Sequence, residues 1–234
     1  MTHILIDGSN LDKYEALLLK FEKDIFTGAF PDPDERESFT EDIIPRIKDS
    51  DNPLLHTYCV LTTDKQNVIV GGLVADWYPT CGCLEIIYIT VDPSRRGEKI
   101  GKSLLNEGID LIKSALEARG EAINAIFLEV DIPTAVSSTG NSMEPTERLM
   151  VWDAWGAKRI PLNYTQPPLS EGKQAVSNLM LMCLTGHGTG VEDSLPGELL
   201  KDFLKDFYKG LGAEDSEYLD NMCEDIDIIT ENDQ

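Results

Sequence analysis

The stretch from Leu84 to Leu105 constrains this chain more than any other. Leu84-Glu85-Ile86-Ile87-Tyr88-Ile89-Thr90-Val91 reads as a largely buried β-strand. Pro93 ends it, because a residue without an N–H cannot continue a ladder. Gly97 and Gly101 then permit tight turns and close backbone approach. From Lys99 to Ala118 the apolar residues recur at helical spacing. A helix start leaves four N–H groups unpaired and carries the positive end of the helix dipole. It is therefore a ready anion site, of the size that suits a pyrophosphate. Arg95, Arg96, Lys99 and Lys102 gather four cations at this turn. They do so in a chain with 20 basic and 42 acidic residues, a net charge of −22. The plainer alternative is an ordinary helix start with surface cations.

Around this segment the pattern alternates between helical and extended. Leu11, Tyr14, Leu17, Leu18, Phe21 and Ile25 form a helical stripe, and Phe30-Pro31-Asp32-Pro33 breaks it. Asp34 can cap a second helix with Phe39, Ile43, Ile44 and Ile47 on one side. Two helices thus open the chain. His56 to Thr62 and Val68 to Ala75 read as strands around the turn Asp64-Lys65-Gln66-Asn67. After the long helix, Gly120 gives a stop and Ala125 to Val130 a buried strand. A polar loop from Pro133 to Pro145 follows, then a short helix from Thr146 to Trp155. Ala157 to Ile160 and Leu179 to Leu184 supply late strands. At 234 residues and 41% hydrophobic, the chain can bury a full core. The expected fold is α/β, a mixed, mostly antiparallel central sheet with helices on both faces.

The composition changes after Gly186-His187-Gly188-Thr189-Gly190, which reads as a flexible linker. From Val191 onward 14 acidic residues face 3 lysines, so a net of −11, half of the total charge, lies here. Leu199, Leu200, Phe203, Leu204 and Phe207 still make a helical stripe. Residues 1–190 are expected to form one domain. Residues 191–234 would be an acidic helical extension, docked, with Glu224 to Gln234 frayed.

The overall charge speaks against nucleic acid and anionic membranes as partners, and would attract cationic amines; a solubility role explains it equally. No apolar run approaches the ~18 residues that span a bilayer. The N-terminus lacks the pattern of a signal peptide, so a cytoplasmic setting is expected. The five cysteines are odd in number and suggest reduced thiols. Cys81-Gly-Cys83 has no second pair or histidine cluster to complete a metal site, so no metal is expected.

The turn from Val91 to Lys102 resembles that of the GCN5-related N-acetyltransferase (GNAT) superfamily. Its signature is Arg or Gln, two residues, Gly, one residue, then Gly or Ala. Arg96 and Gly101 match the ends, and Lys99 stands where glycine is usual. A lysine there would present its backbone N–H if its dihedrals are not left-handed. The resemblance extends through Phe30-Pro31, the strand Leu84–Val91 and Arg148 to Ala157, and covers the chain to about Leu184. Tyr164-Thr165-Gln166-Pro167 is similar to a feature of an uncharacterised bacterial branch. It implies a site for acetyl-CoA, the acyl donor, between two splayed strands. Ile89, Thr90 and Val91 would contact the pantetheine arm. Arg96, Gly97, Glu98, Lys99, Ile100, Gly101 and Lys102 would surround the phosphates.

Acetyl transfer to an amine needs a deprotonated amine, a polarised thioester and a protonated leaving thiolate. Glu85, in an otherwise apolar strand, is a candidate general base acting through water; its alternative is a structural partner of an arginine. Glu129 on the neighbouring strand is the second candidate catalytic residue, or a salt-bridged strand residue. Two acids facing one cleft would select a cationic acceptor. The family's tyrosine acid on the short fourth helix corresponds here to Trp152, which is no practical proton donor; Tyr88, Tyr78 or Tyr164 could substitute. The function implied is N-acetyl transfer to a small primary amine, by direct attack in a ternary complex. A noncatalytic acyl-CoA sensor of the same fold, a protein N-acetyltransferase and an interaction protein with an acidic tail are the alternatives. A homodimer is left open.

Overall fold

A computed structural model of the chain describes residues 1–31, 36–135, 143–169, 172–189, 191 and 195–232. Asp34, the expected helix cap, lies outside these residues, as do Gly190 and most of the polar loop before Pro145. The fold is mixed α/β, a mostly antiparallel seven-stranded sheet flanked by helices. Its strands, β1 (Thr2–Ile6), β2 (His56–Thr63), β3 (Ile69–Tyr78), β4 (Cys83–Val91), β5 (Ala125–Asp131), β6 (Ala157–Arg159) and β7 (Leu179–Leu184), follow the order β1-β2-β3-β4-β5-β7-β6. Two compact units divide the chain, one built on Met1–Trp77 and Glu85–Ile123, the other on Tyr78–Leu84, Asn124–Ser138 and Met143–Gln234.

The first unit opens with a strand rather than a helix. β1 (Thr2–Ile6) pairs antiparallel with β2 (His56–Thr63), with Ile6 opposite Cys59. The helix α1 (Leu11–Phe21) runs on through a π-helical turn at Glu22–Phe26. In place of Asp34, the hydroxyl of Ser38 accepts from Glu41 N at 3.2 Å and caps the turn Phe39–Ile43, which leads into α2 (Ile44–Lys48). The carboxylate of Glu22 joins the two helical segments by accepting from Phe39 N at 3.0 Å.

β3 (Ile69–Tyr78) and β4 (Cys83–Val91) follow. Phe21, Phe26, Phe39, Ile43, Val74 and Tyr88 share one buried cluster. Gly72 makes room for it: a Cβ there would lie 2.5 Å from the Phe21 ring. The helix α3 (Ile100–Glu117) buries Ile100, Leu104, Leu105, Ile109, Ile112 and Leu116, spaced as one helical face.

In the second unit, β5 (Ala125–Asp131) and β7 (Leu179–Leu184) pair antiparallel, Phe127 opposite Cys183 and Glu129 opposite Leu181. β6 (Ala157–Arg159) flanks β7. The helix α4 (Pro145–Trp155) starts on proline, which gives up no hydrogen bond in a first turn, and stops at Gly156 with φ 100°. Two helices complete the unit, α5 (Gly197–Gly210) and α6 (Glu217–Asn232). The ring of Phe203 on α5 stacks on Phe127 at 4.2 Å and meets Tyr78 edge-on at 5.6 Å. Lys201 joins the helices by ion pairs to Glu198 and Asp227.

Candidate functional site

The turn between β4 and α3 opens with Asp92, whose side chain accepts from Ser94 N at 2.9 Å and starts a 3-10 turn at Pro93–Arg95. Upstream, β3 comes close to the end of β4: a Cβ on Gly71 would stand 2.8 Å from the carbonyl oxygen of Thr90. Ile89, Thr90 and Val91, the residues assigned to pantetheine, are half-buried at this end of the strand.

At the head of α3 no side chain among the described residues caps the helix. The N–H groups of Lys99, Ile100, Gly101 and Lys102 have no hydrogen-bond partner among the described residues. Ser103 N is the first to bond back, to Lys99 O at 3.2 Å. This is the open helix start expected of an anion site. Gly97 has φ 86°, a conformation natural to glycine. Lys99 has φ 61° and ψ 16°, so it takes the left-handed conformation in place of the usual glycine, against the condition set for it. The N–H of Lys99 is open all the same. The cost is local strain of about 1 kcal/mol for an L-residue in this region.

The four cations of the turn do not act alike. Arg96, Lys99 and Lys102 are exposed. Arg95 is held by Glu98 through two contacts of 2.7 Å, and by Asp64 at 3.4 Å. Asp64 also closes the β2–β3 turn, accepting from Gln66 N and Val68 N. The Val68 N–H, with Gln66 N–H and Arg95, holds its carboxyl below the usual range. The Arg95 hydrogen bonds do the same for Glu98. Thus the carboxylate of Glu98, a residue expected among the phosphate contacts, rests on Arg95, and the pair ties the β4–α3 turn to the β2–β3 turn. This role of Asp64 is not visible in the sequence, because its partner Arg95 is 31 residues away.

Of the two carboxylates, Glu85 sits on β4 in the first unit and is 3% exposed. Glu129 sits on β5 in the second, half-buried. The hydroxyl of Tyr164 donates to one oxygen of Glu129, and Gln166 Nε2 donates to the other at 2.5 Å. Tyr164, one of the three tyrosines expected as a substitute acid, and Gln166 belong to the segment Tyr164-Thr165-Gln166-Pro167 singled out in the sequence. The other tyrosines are engaged elsewhere. The Tyr88 hydroxyl accepts from Glu37 N at 3.1 Å and its ring packs on Phe26 and Phe30. Tyr78 packs on Phe203. Trp152 is 7% exposed, edge-on to Trp155 at 5.3 Å.

All five cysteines are free, and burial pushes the Cys183 thiol up to about 11. No group of three His, Cys, Asp or Glu among the described residues could hold a metal ion. No helix among them is long and apolar enough to cross a membrane.

The sequence model of the acetyltransferase (GNAT) family matches residues 18–136, just over half of the chain and including the whole β4–α3 turn. The chain belongs to the GNAT family. By class this GNAT protein is an acyltransferase. No curated protein matches it in sequence. Among solved structures, a GNAT-family acetyltransferase from Bacteroides thetaiotaomicron superposes with a TM-score of 0.59 at 16% identity, over 92% of this chain and 99% of the other. Tetrahymena GCN5 gives 0.49 at 13% identity, over 83% of this chain and 100% of its own. A variant of the Vibrio cholerae spermidine N-acetyltransferase gives 0.45 at 17% identity, over 78% and 91%. The first of these likenesses supports the GNAT fold.

Proposed function

We propose that the protein transfers the acetyl group of acetyl-CoA to a primary amine of a small molecule, by direct attack in a ternary complex. The observation that carries this is the open head of α3, where four N–H groups without a partner among the described residues lie beside Arg96, Lys99 and Lys102. That combination suits the pyrophosphate of CoA. The backbone of Ile89, Thr90 and Val91 is assigned to the pantetheine arm. Glu85 is assigned as the base that takes the amine proton, through water, since it is the buried carboxylate of β4. Glu129, its orientation fixed by Tyr164 and Gln166, is assigned to the acceptor's positive charge. Five free thiols suit a cytoplasmic setting.

A thiol-release assay with acetyl-CoA across a panel of amines tests the proposal. At least one amine should release CoA, and Glu85→Gln should slow that release by about 100-fold or more, the usual scale of general-base catalysis. Unchanged turnover in Glu85→Gln would remove the assigned base. Arg96→Ala with Lys99→Glu should weaken CoA binding without unfolding the protein. A second reading, a noncatalytic acyl-CoA sensor, is favoured by Trp152, which puts a buried indole where the family has a tyrosine acid. Tight CoA binding with no amine turned over would select it.

A further inference from the structure

The segment that holds Glu129 is itself held from α5. Tyr164 and Gln166 are two residues apart, so an extended backbone sends both side chains to one side. There they bind the two oxygens of Glu129. Gln166 is locked by a pair of backbone bonds with Val176, at 2.8 and 2.9 Å. The carbonyl of Thr165, between them, accepts from the hydroxyl of Tyr208 on α5 at 2.5 Å. Tyr208 is fully buried. Five residues earlier on the same helix, Phe203 stacks on Phe127, which shares a face of β5 with Glu129. α5 thus grips both the strand that carries Glu129 and the segment that aims it.

We infer that Tyr208 is a positioning residue for the acceptor side of the reaction, fixing the Glu129 carboxylate through Thr165, Tyr164 and Gln166. The inference rests on the reading of Glu129 as the group that meets the acceptor's charge. It gives α5 a part in amine selection. Burial, then Glu129 and Tyr218, push the Tyr208 hydroxyl above its ordinary range, so it stays protonated and keeps donating to Thr165 across the neutral range. Small displacements of a positioned group cost large factors in rate, about 100-fold for ~1 Å. A conservative change at Tyr208 should therefore reach the amine kinetics without touching the cofactor.

The test uses the full chain with an amine that it turns over, acetyl-CoA as donor, and the variants Tyr208→Phe, Tyr164→Phe and Glu129→Gln. Tyr208→Phe should lower kcat/KM for the amine about tenfold while the affinity for CoA stays unchanged. Tyr164→Phe, which removes a Glu129 bond directly, should reproduce that selective loss. In the Glu129→Gln background, Tyr208→Phe should cause no further loss, since groups acting in one chain are not additive. Losses that multiply, or a loss of CoA affinity in step with activity, would mark a general structural role and overturn the inference. So would an unchanged kcat/KM in Tyr208→Phe while Glu129→Gln is impaired; that outcome leaves the role of Glu129 intact. If Glu129→Gln itself is unimpaired, the reading beneath fails and the inference falls with it.

Discussion

At the residue scale, Lys99 combines a cation with a backbone conformation that glycine would take more easily, at φ 61°. Its side chain and its strain can be separated by two substitutions. Lys99→Ala removes the charge and keeps the left-handed Cβ; Lys99→Gly removes both. Both should bind CoA more weakly and to a similar degree. In urea unfolding, the Gly variant should be more stable than the Ala variant by about 1 kcal/mol. Equal stabilities would show that position 99 is not left-handed in solution. The dihedral itself could not be read from the sequence, because lysine rarely adopts it; the family pattern, with glycine here, was the available hint. The pairing of Arg95 with Asp64 and Glu98 was equally hidden. A local count gives four cations at the turn, and only the folded chain shows that Arg95 is paired with Asp64 and Glu98.

At the element scale, the helices and strands with strong periodicity were legible nearly to the residue. The strand at Leu179–Leu184 and the long helix at Ile100–Glu117 are of this kind. β1 was not, because five residues at the N-terminus carry no visible alternation and become a strand only by pairing with β2. The stripe on α5 was legible as a helix, while its partners on β5 were not. Phe203 is fully buried between Phe127 and Tyr78. Phe203→Ala should therefore cost about 3–5 kcal/mol, by the usual scale for emptying a buried aromatic site. Urea denaturation would measure it, and a loss below ~1 kcal/mol would mean that α5 is not docked.

At the scale of the whole molecule, a net charge of −22 surrounds a cationic turn, so salt should act in opposite directions on stability and on binding. Self-repulsion opposes the compact state and is screened by salt. Raising NaCl from about 0.05 to about 0.5 M, where the Debye length shrinks from roughly 14 to roughly 4 Å, should raise the thermal midpoint of the free protein. If Arg96, Lys99 and Lys102 hold the CoA phosphates across solvent, as proposed, the same change should weaken CoA binding. Scanning fluorimetry and titration calorimetry at the two salt levels read both effects. A midpoint that falls would mean that local ion pairs, such as those of Arg95 and Lys201, outweigh the repulsion. The sequence by itself determined the order of most elements, the helix start that can hold an anion and the uneven charge, because each depends on residues within a few positions of one another. The tertiary structure alone decided which residues meet: Gly72 under Phe21, Asp64 on Arg95, Tyr208 on Thr165. Such meetings depend on strand register and loop closure across tens of residues. A one-residue slip would send each side chain to the opposite face while leaving the local pattern unchanged.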